Sequence, residues 1–250
     1  MNCGFQTTRA TSVRFDPANP DVAVAGMEGG EASYTGPYGG YYNGGIYRTE
    51  DAGESWQYIR VGENDEQNGY LVMTVVPTSP PTFITFGKNF DDLSINIGFI
   101  RSIDSGKTWE SFEDELRYKR ISSFTVSPDG QTMCANEDGT YFGWISRDAG
   151  ETWFRSAIVQ VNGDIAISPI DSNLVIFGSQ GEIRRSTNGL VNVSGVLTAD
   201  VKFRKIVFAP SRPSTLYAEA DGYLLYRSDD SGATWRFMAN VRQDVLNVQP

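Results

Sequence analysis

Apolar and polar residues alternate along most of the chain in short runs, and one run in each repeat ends at a proline. Because successive side chains of a strand point to opposite faces, such alternation is typical of a strand with one buried face. A proline then marks the point where the strand leaves its sheet. These proline-terminated runs lie at residues 13–17, 74–77, 124–128, 165–169 and 206–210. No stretch of useful length has the apolar spacing of an amphipathic helix, so the pattern predicts an all-β protein.

Further apolar runs follow the first run of each repeat. A second run comes after a short turn, as at residues 22–25, 83–86, 174–177 and 215–218. A third comes later, at residues 45–48, 98–101 and 224–227. With the strand that leaves the next turn, each repeat therefore supplies four strands.

The turn after the third run carries the motif Ser/Thr-x-Asp-x-Gly-x-Ser/Thr-Trp, here called the Asp–Gly motif. Four copies occupy residues 49–56, 102–109, 146–153 and 228–235 and hold four of the five tryptophans. An altered copy begins at Ser186, with Asn188 in place of the aspartate and Val193 in place of the tryptophan. The equivalent positions 51, 104, 148, 188 and 230 are separated by 53, 44, 40 and 42 residues. That period fits one four-stranded unit per repeat.

The motif has a structural explanation. An aspartate followed two residues later by glycine is typical of a turn in which the carboxylate accepts backbone N–H groups and the glycine adopts positive φ. The tryptophan is expected to be buried where neighbouring sheets meet. A catalytic group is needed once and not four times, which favours this interpretation over a metal or catalytic role. The residues with this predicted structural role are Asp51, Gly53, Trp56, Asp104, Gly106, Trp109, Asp148, Gly150, Trp153, Asp230, Gly232 and Trp235.

This pattern resembles the Asp-box (BNR) repeat of β-propellers, a family that includes sialidases, xyloglucan-cleaving hydrolases, sortilin-type receptors and photosystem II assembly factors. The resemblance implies four-stranded antiparallel blades, with the boxes on the face opposite the usual binding site. About five blades are visible, forming either a ring of five or a piece of a larger ring. We treat residues 1–250 as one propeller domain. Its units lie at about 11–61, 70–113, 121–157, 163–197 and 204–241, and residues 242–250 could start a further blade.

Composition narrows the possible functions. The chain is 40% hydrophobic and 12% aromatic, enough for a substantial core. Its net charge of −10 argues against nucleic acid as the main partner, and the absence of histidine excludes histidine-dependent catalysis and histidine metal sites. We expect no metal and no cofactor. The two cysteines, Cys3 and Cys134, allow one disulfide, although the apolar surroundings of Cys134 favour a free thiol.

No segment has the length of a membrane span or the form of an export signal. The family resemblance nevertheless implies an extracellular or periplasmic protein.

Aromatic residues are concentrated in a glycine-rich insertion at residues 28–44. It holds Tyr34, Tyr38, Tyr41 and Tyr42, and the corresponding segment of the second repeat holds Phe90. Tyrosine offers flat apolar area with a hydroxyl at its tip, which suits a recognition surface. Local packing of the insertion against its own scaffold is the alternative.

Carboxylates in the same two segments are candidates for catalysis. Glycoside hydrolysis needs two carboxyl groups roughly 5 to 9.5 Å apart. Glu28 or Glu31 with Asp91 or Asp92 could form such a pair. In xyloglucan-cleaving relatives a catalytic aspartate precedes a Gly-Gly pair in the first unit, and Glu28 stands at a comparable place. Acidic residues also occur in later loops, as Glu137, Asp138, Glu182, Glu219 and Asp221, so an acidic surface is the competing explanation.

Two functions therefore remain open. One is a non-catalytic module that binds a protein or a glycan through the loops opposite the Asp–Gly motifs. The other is a glycoside hydrolase that uses a carboxylate pair. The arginine, Tyr-Glu and acid/base roles of sialidases do not align onto this sequence. The arginines that recur at repeat positions are expected to be structural; they are Arg14, Arg48, Arg101, Arg185 and Arg227.

Overall fold

The computed structural model describes most of the chain. The described residues are 10–27, 30–31, 41–42, 44–61, 68–89, 96–112, 115–117, 119, 121–137, 140, 143–156 and 163–241. They form two compact units, of which unit 1 comprises Met1–Arg120 with Gly150–Thr152, and unit 2 comprises Ile121–Ala149 with Trp153–Pro250. None of these residues form a helix long and apolar enough to cross a membrane.

Unit 1 is built from antiparallel strands. They are β1 (Ala10–Asp16), β2 (Asn19–Met27), β3 (Gly30–Glu31), β4 (Tyr41–Tyr42), β5 (Gly45–Thr49), β6 (Gln57–Ile59), β7 (Asn68–Val76), β8 (Thr82–Asn89), β9 (Asn96–Ser102) and β10 (Glu110–Ser111). Two four-stranded sheets have the orders β1-β2-β5-β6 and β10-β9-β8-β7, and β3 pairs with β4 in a two-stranded ladder. The turn between β5 and β6 and the turn between β9 and β10 each carry an Asp–Gly motif.

Unit 2 continues the same pattern. Its strands are β11 (Ile121–Val126), β12 (Met133–Glu137), β13 (Gly143–Ser146), β14 (Phe154–Ser156), β15 (Ile165–Ile167), β16 (Val175–Gly178), β17 (Gln180–Ser186), β18 (Ser194–Ala209), β19 (Arg212–Ala220), β20 (Leu224–Ser228) and β21 (Arg236–Asn240). The first four form one sheet in sequence order, and the other seven form a second sheet, also in sequence order.

The long strand β18 belongs to two repeats. Residues 194–202 pair with β17, and residues 203–209 pair with β19. It thus closes the fourth repeat and opens the fifth, where the sequence predicted two separate four-stranded units. The physical reason is visible in the sequence, since residues 196–209 contain no glycine or proline to turn the chain.

Each repeat has two distinct ends. At the end that we call the loop end, the first strand begins and the second strand ends. The opposite end, here called the motif end, carries the turn between the first two strands and the Asp–Gly motif. Both names follow from the antiparallel strand order within each sheet.

The cores lie between consecutive repeats of the same unit. In unit 1, Val24 and Ile46 of the first sheet pack with Tyr70, Phe83 and Ile100 of the second. All five side chains are completely buried. Backbone approaches closely there: a Cβ added at Gly26 would lie 2.6 Å from the Tyr70 carbonyl oxygen. Gly26 therefore has a packing reason to lack a side chain.

The core of unit 2 includes a free cysteine. Cys134 is completely buried and unpaired, and burial raises the pKa of its thiol to about 12. It packs with Ile145 and with the fourth repeat's Val175 and Phe177. A thiol with so high a pKa is protonated at neutral pH and serves here as a small apolar side chain.

The motif tryptophans differ in burial. Trp153 is 4% exposed, whereas Trp56, Trp109 and Trp235 are only partly buried beside their clusters. The predicted burial of the indole is therefore complete for Trp153 and partial for the other three. The reason is that an indole can turn back onto its own hairpin: Trp109 Nε1 donates to the Gly106 carbonyl oxygen at 3.2 Å.

Candidate functional site

The first Asp–Gly motif is organised around one carboxylate. Asp51 Oδ1 accepts hydrogen bonds from Thr49 Oγ1 at 2.6 Å and from the Ser55 amide at 2.9 Å, and Asp51 Oδ2 accepts Ser55 Oγ at 2.5 Å. Thr49 Oγ1 in turn accepts the Gly53 amide at 3.0 Å. These hydrogen bonds lower the pKa of Asp51 to about 2, and the bond from the Ser55 hydroxyl has the largest effect. The carboxylate is ionised at neutral pH, and its oxygens are engaged within its own turn.

Other copies repeat this network. Asp104 and Asp230 each accept the hydroxyl of the preceding serine and the hydroxyl and amide of the following threonine, at 2.6 to 2.9 Å. The Thr234 hydroxyl is the largest cause that lowers the pKa of Asp230 to about 2. In the third repeat, Asp148 accepts Ser146 Oγ at 2.8 Å. Each aspartate thus serves the hairpin on which it stands.

The motif backbone contains two successive left-handed residues. The glycines have φ between 80° and 92°, and the residue before each glycine has φ between 57° and 61°. The amide of this preceding residue reaches the start of the second strand of the same repeat: Ala52 N donates to Asp21 O at 2.9 Å, and Ser231 N donates to Ser214 O at 2.8 Å. The carboxylate network therefore stabilises a strained turn, and the backbone bond of that turn fixes the motif end of the repeat.

An arginine of one repeat donates a hydrogen bond to the motif backbone of the next repeat within the same unit. Arg48 Nε donates to the Ser105 carbonyl oxygen at 2.7 Å, and Arg185 Nε donates to the Ser231 carbonyl oxygen at 2.9 Å. Both acceptors are the left-handed residues that precede the motif glycine. Side chains of the repeat motif thus join neighbouring sheets as well as closing their own hairpins.

The altered copy keeps this geometry with different residues. Asn188 Oδ1 accepts Ser186 Oγ at 3.1 Å and the Asn192 amide at 2.8 Å. Gly189 takes the first left-handed position, with φ of 63°, so Leu190 stands at the glycine position with φ of 67°. Leu190 is 4% exposed and belongs to the apolar cluster of Cys134, which explains why a strained leucine is retained there.

The motif aspartates form no common site. Each is bonded inside a separate hairpin, and the part of the chain that the structure describes contains no group of three or more cysteine, aspartate or glutamate residues that could hold a metal ion. A carboxylate with a pKa near 2 is also a poor proton donor at neutral pH. The loop end is therefore the other candidate for a functional site.

A β-bulge recurs at the loop end. In four repeats the register of the first strand shifts by one residue as it begins, between Ala10 and Ser12, Tyr70 and Val72, Ile121 and Ser123, and Phe203 and Lys205. Bulges re-aim side chains and are frequent beside functional sites. Unlike the motif, the bulge pairs differ chemically from repeat to repeat, being Thr11-Ser12, Leu71-Val72, Ser122-Ser123 and Arg204-Lys205.

The loop end of the seven-stranded sheet is highly charged. Lys205 Nζ lies 2.9 Å from Asp164 Oδ2, and the side chains of Lys205 and Asp164 are 62% and 11% exposed. Asp164 also accepts the Ile206 amide at 3.2 Å. Arg204 pairs with Asp221, with 60% and 41% of these side chains exposed. Two exposed cations are thus held in place by carboxylates that stand beside them.

A neutral polar cluster occupies the corresponding end of the third repeat. Asn136 Nδ2 donates to Ser122 Oγ and to the Gly163 carbonyl oxygen, both at 3.3 Å. Asn136 Oδ1 and Ser123 Oγ are buried without a hydrogen-bond partner. The amide orientation follows from the Gly163 carbonyl, because a flipped amide would place two acceptor oxygens together.

Most predicted binding and catalytic residues fall outside the described part of the chain. These are Glu28, Tyr34, Tyr38, Phe90, Asp91 and Asp92. For Glu31, Tyr41 and Tyr42 the backbone is described: Glu31 lies opposite Tyr41 in the ladder of β3 and β4. The two ends of the tyrosine-rich insertion are therefore paired as a hairpin stem.

Sequence reasoning missed the bulges and the Arg204-Lys205 pair. The adjacent basic residues were visible in the sequence, but nothing marked the register shift that places both opposite Glu219. The predicted acidic loop residues Glu182 and Asp221 are instead ion-pair partners, with Arg184 and Arg204.

No protein-family model matches this chain, and no curated protein matches it in sequence. Solved structures do match in fold. The GH74 xyloglucanase from Xanthomonas campestris superposes with a TM-score of 0.62 at 16% identity, over 92% of this chain and 38% of that one. YCF48 from Cyanidioschyzon merolae gives 0.59 at 14% identity, over 93% and 85%. YCF48 bound to D1 peptide gives 0.52 at 13% identity, over 95% and 83%.

This chain thus spans well under half of the xyloglucanase and most of YCF48. At these identities the likeness shows the fold alone. The repeated antiparallel sheets and these neighbours together make the chain an all-β protein with the β-propeller fold.

Proposed function

We propose that this chain is a non-catalytic recognition module that binds a protein partner through the loop ends of its repeats, and that its Asp–Gly motifs are Asp-boxes with a scaffold role. One contrast carries the proposal. The motif end repeats the same bonds in sheet after sheet, whereas the bulge pairs at the loop end change from hydroxyl to basic residues. Constant positions suit a scaffold, and variable side chains on a rigid scaffold suit recognition.

Charge favours a protein partner over a neutral glycan. Arg204 and Lys205 present exposed cations, and each already has a carboxylate neighbour that orients it. Such paired charges suit the polar rim of a protein interface. In this proposal the tyrosine-rich segment 28–44 and Phe90, which the sequence predicts to be binding residues, also take part in recognition.

One structural neighbour supports the proposal by analogy. YCF48 is described in complex with a D1 peptide, so the same fold in that protein binds a peptide. The analogy concerns the fold and transfers no residue to this chain.

The test is binding of the full chain to protein and glycan arrays. We expect protein ligands whose signal falls in a Tyr34→Ala/Tyr38→Ala variant. A matched variant, Glu54→Ala/Lys107→Ala, changes two exposed residues of motif turns and should bind as the wild type does. Absence of any protein ligand, or an equal loss in both variants, would contradict the proposal.

Glycoside hydrolysis is the second candidate, because a GH74 xyloglucanase is among the structures that share the fold. Its carboxylates would be Glu28 or Glu31 with Asp91 or Asp92. The discriminating assay measures reducing ends released from xyloglucan, other β-glucans and sialosides. Our proposal predicts none; release that is abolished by Glu28→Gln or Asp91→Asn would establish the enzyme instead.

A further inference from the structure

Consecutive repeats within a unit are joined by a recurring set of contacts. In unit 1, Arg48 Nε donates to the Ser105 carbonyl oxygen at 2.7 Å, and a Cβ added at Gly106 would lie 2.4 Å from Val24 Cγ2. Arg48 and Val24 are cross-strand partners, so they share one face of the first sheet. We call this pair the donor face, and the two left-handed residues of the next motif, here Ser105 and Gly106, the acceptor turn.

Unit 2 has the same contacts between the fourth and fifth repeats. Arg185 Nε donates to the Ser231 carbonyl oxygen at 2.9 Å. A Cβ added at Gly232 would lie 2.6 Å from Ile176 Cδ1, and Ile176 is the cross-strand partner of Arg185. Both glycines that receive these contacts, Gly106 and Gly232, are buried. The arrangement is therefore a property of the repeat and not of one place in the chain.

The fifth repeat carries a donor face that holds no acceptor turn. Its cross-strand partners Arg227 and Tyr217 occupy the positions of Arg185 and Ile176. Among the described residues, the side-chain hydrogen bonds of Arg227 all go to Asp229 of its own turn, at 2.5 and 2.8 Å. Its guanidinium carbon lies 5.7 Å from the centroid of the Tyr217 ring. Arginine and an aromatic ring thus lie together on this face.

An ion pair within the turn is compatible with binding an acceptor turn. Arg48 pairs through one terminal nitrogen with Glu50, which occupies the position of Asp229, and still binds the next repeat through Nε. Arg227 can do the same once its Nε leaves Asp229, a small cost because exposed ion pairs are weak. The Arg48 side chain, with its acceptor turn in place, is 8% exposed, whereas that of Arg227 is 24% exposed.

Apolar residues of this donor face are also uncovered. Val207 is the cross-strand partner of Tyr217 and is 43% exposed, whereas Ala166, at the same position of the fourth sheet, is 8% exposed and packs against the fifth repeat. Tyr217 is half-buried, whereas Ile176 is completely buried. The donor face of the fifth repeat therefore has the chemistry of an interface between repeats without its burial.

The first repeat carries an acceptor turn that receives no donor face. Ala52 and Gly53 have φ of 57° and 92°, as in the other motif turns. Ala52 is exposed, and a Cβ added at Gly53 would meet only its own Trp56. Phe15, on the face of the first sheet that points away from the second, is 58% exposed, whereas Phe208 at the same position of the fifth sheet packs into a core cluster.

The uncovered parts of both sheets lie next to their motif turns. On the face that holds Phe15, Ala25 and Tyr47 are completely buried, so the exposed part is the half beside the turn. In the fifth repeat, Arg227 directly precedes the first motif residue, Ser228. The donor face and the acceptor turn therefore match in position as well as in chemistry.

We propose that the chain binds a second copy of itself head to tail, with the donor face of one copy's fifth repeat against the acceptor turn of the other copy's first repeat. Arg227 donates to the Ala52 carbonyl oxygen of the second copy, Tyr217 covers Gly53, and the apolar residues beside them become buried. A second copy is the occupant because both halves are exposed in one chain and complement each other as the internal contacts do. Such an interface is heterologous, since its two sides differ. It lies apart from the loop ends and goes beyond the proposed recognition function.

The test is sedimentation of the purified full chain over a series of concentrations. We expect assemblies whose share rises with concentration. Arg227→Ala removes the donor half and Phe15→Lys the acceptor half, and each should weaken self-association about tenfold or more, as truncation of an interface anchor does. Phe154→Lys is the matched control, because Phe154 is 63% exposed outside both halves, and it should associate as the wild type does.

A mixture of the two variants gives the most specific result. Arg227→Ala keeps an intact acceptor turn, and Phe15→Lys keeps an intact donor face. At a concentration where each variant alone is monomeric, their mixture should therefore form one-to-one dimers and nothing larger. An interface that used the same surface on both copies would not recover in this way.

Thermal unfolding of each variant verifies that it is folded, and Phe15→Ser replaces Phe15→Lys if the lysine variant does not fold. A wild-type chain that is monomeric at every concentration overturns the inference. Association that Arg227→Ala leaves unchanged, or a mixture that assembles no better than its separate components, also overturns it. None of these results bears on recognition at the loop ends, which the array experiment decides separately.

Discussion

At the scale of single residues, the motif glycines share a backbone conformation but differ in their surroundings. Gly53 and Gly106 have φ of 92° and 83°. A Cβ added at Gly106 would lie 2.4 Å from Val24 Cγ2, whereas one added at Gly53 would meet only its own Trp56, at 3.7 Å or more. A side chain would therefore strain the backbone at both positions, but it would overlap a neighbouring side chain only at Gly106.

We therefore predict that Gly106→Ala destabilises the protein more than Gly53→Ala. Strain in the left-handed region costs about 1–2 kcal/mol in each variant. The overlap with Val24 adds about 1–3 kcal/mol in Gly106→Ala. Urea unfolding of both full-length variants measures the difference, and equal losses would contradict the proposed packing of this turn.

The motif carboxylates predict a dependence of stability on pH. The hydrogen bonds of Asp51 and Asp230 lower their pKa to about 2, below the value of about 4 of an unfolded chain. Their contribution is therefore fully present above about pH 4 and is lost as the pH falls through about 2. Unfolding free energies measured from pH 7 to pH 2 should fall in that window, and Asp230→Asn should flatten the fall. A variant with the wild-type acid slope would contradict this assignment.

The altered motif can be restored by two substitutions. Asn188 keeps the acceptor that binds the Asn192 amide, but the intact copies also use a second carboxylate oxygen for a hydroxyl, as in Thr234 Oγ1 to Asp230 Oδ2 at 2.6 Å. In Asn188→Asp/Asn192→Thr this bond can form again. A double-mutant cycle should show a favourable coupling of about 1 kcal/mol. Simple additivity would mean that the altered turn does not adopt the intact geometry.

At the scale of strands and hairpins, burial of the motif indoles sets their contribution. Trp153 is 4% exposed, while Trp109 is partly exposed and bonds to its own hairpin. We predict that Trp153→Ala costs about 3–5 kcal/mol of unfolding free energy and that Trp109→Ala costs about half as much. Denaturant unfolding of the two variants provides the comparison. A cost for Trp109→Ala that equals that of Trp153→Ala would contradict the observed burial.

Much of the strand pattern could be predicted, because period-two alternation and the Asp-x-Gly spacing are local properties of the sequence. The continuous strand β18 was harder to foresee: the units were predicted to break between 197 and 204, yet no glycine or proline lies there. The backbone preferences of leucine also do not predict Leu190 at a position that favours glycine. Burial in the folded core compensates for its backbone strain, and that burial is not visible in the local sequence.

The candidate site was less accessible to sequence reasoning. Arg204 and Lys205 are an ordinary basic pair in the sequence, and only the register shift in β18 places them at the loop end of their sheet. Likewise, Arg48 and Arg185 were expected to be structural from their recurrence, but their acceptors in the next repeat depend on packing between sheets. Long-range pairing of this kind leaves no local signal in one sequence.

At the scale of the whole chain, the two ends of each repeat have different roles. The motif ends repeat one hydrogen-bond network, and their aspartate carboxylates accept hydrogen bonds within it. The loop ends vary, and in the fifth repeat they present exposed charged and aromatic side chains. In our account, the repeated turn network therefore stabilises one end of each sheet, and recognition takes place at the other.

Hydrogen–deuterium exchange of the full chain, with and without a protein ligand identified on the array, tests this division most directly. We predict slower exchange at the loop end of the seven-stranded sheet, in residues 202–206 and 219–224, and unchanged exchange in the motif turn at 228–235. Protection confined to the motif turns would contradict the account.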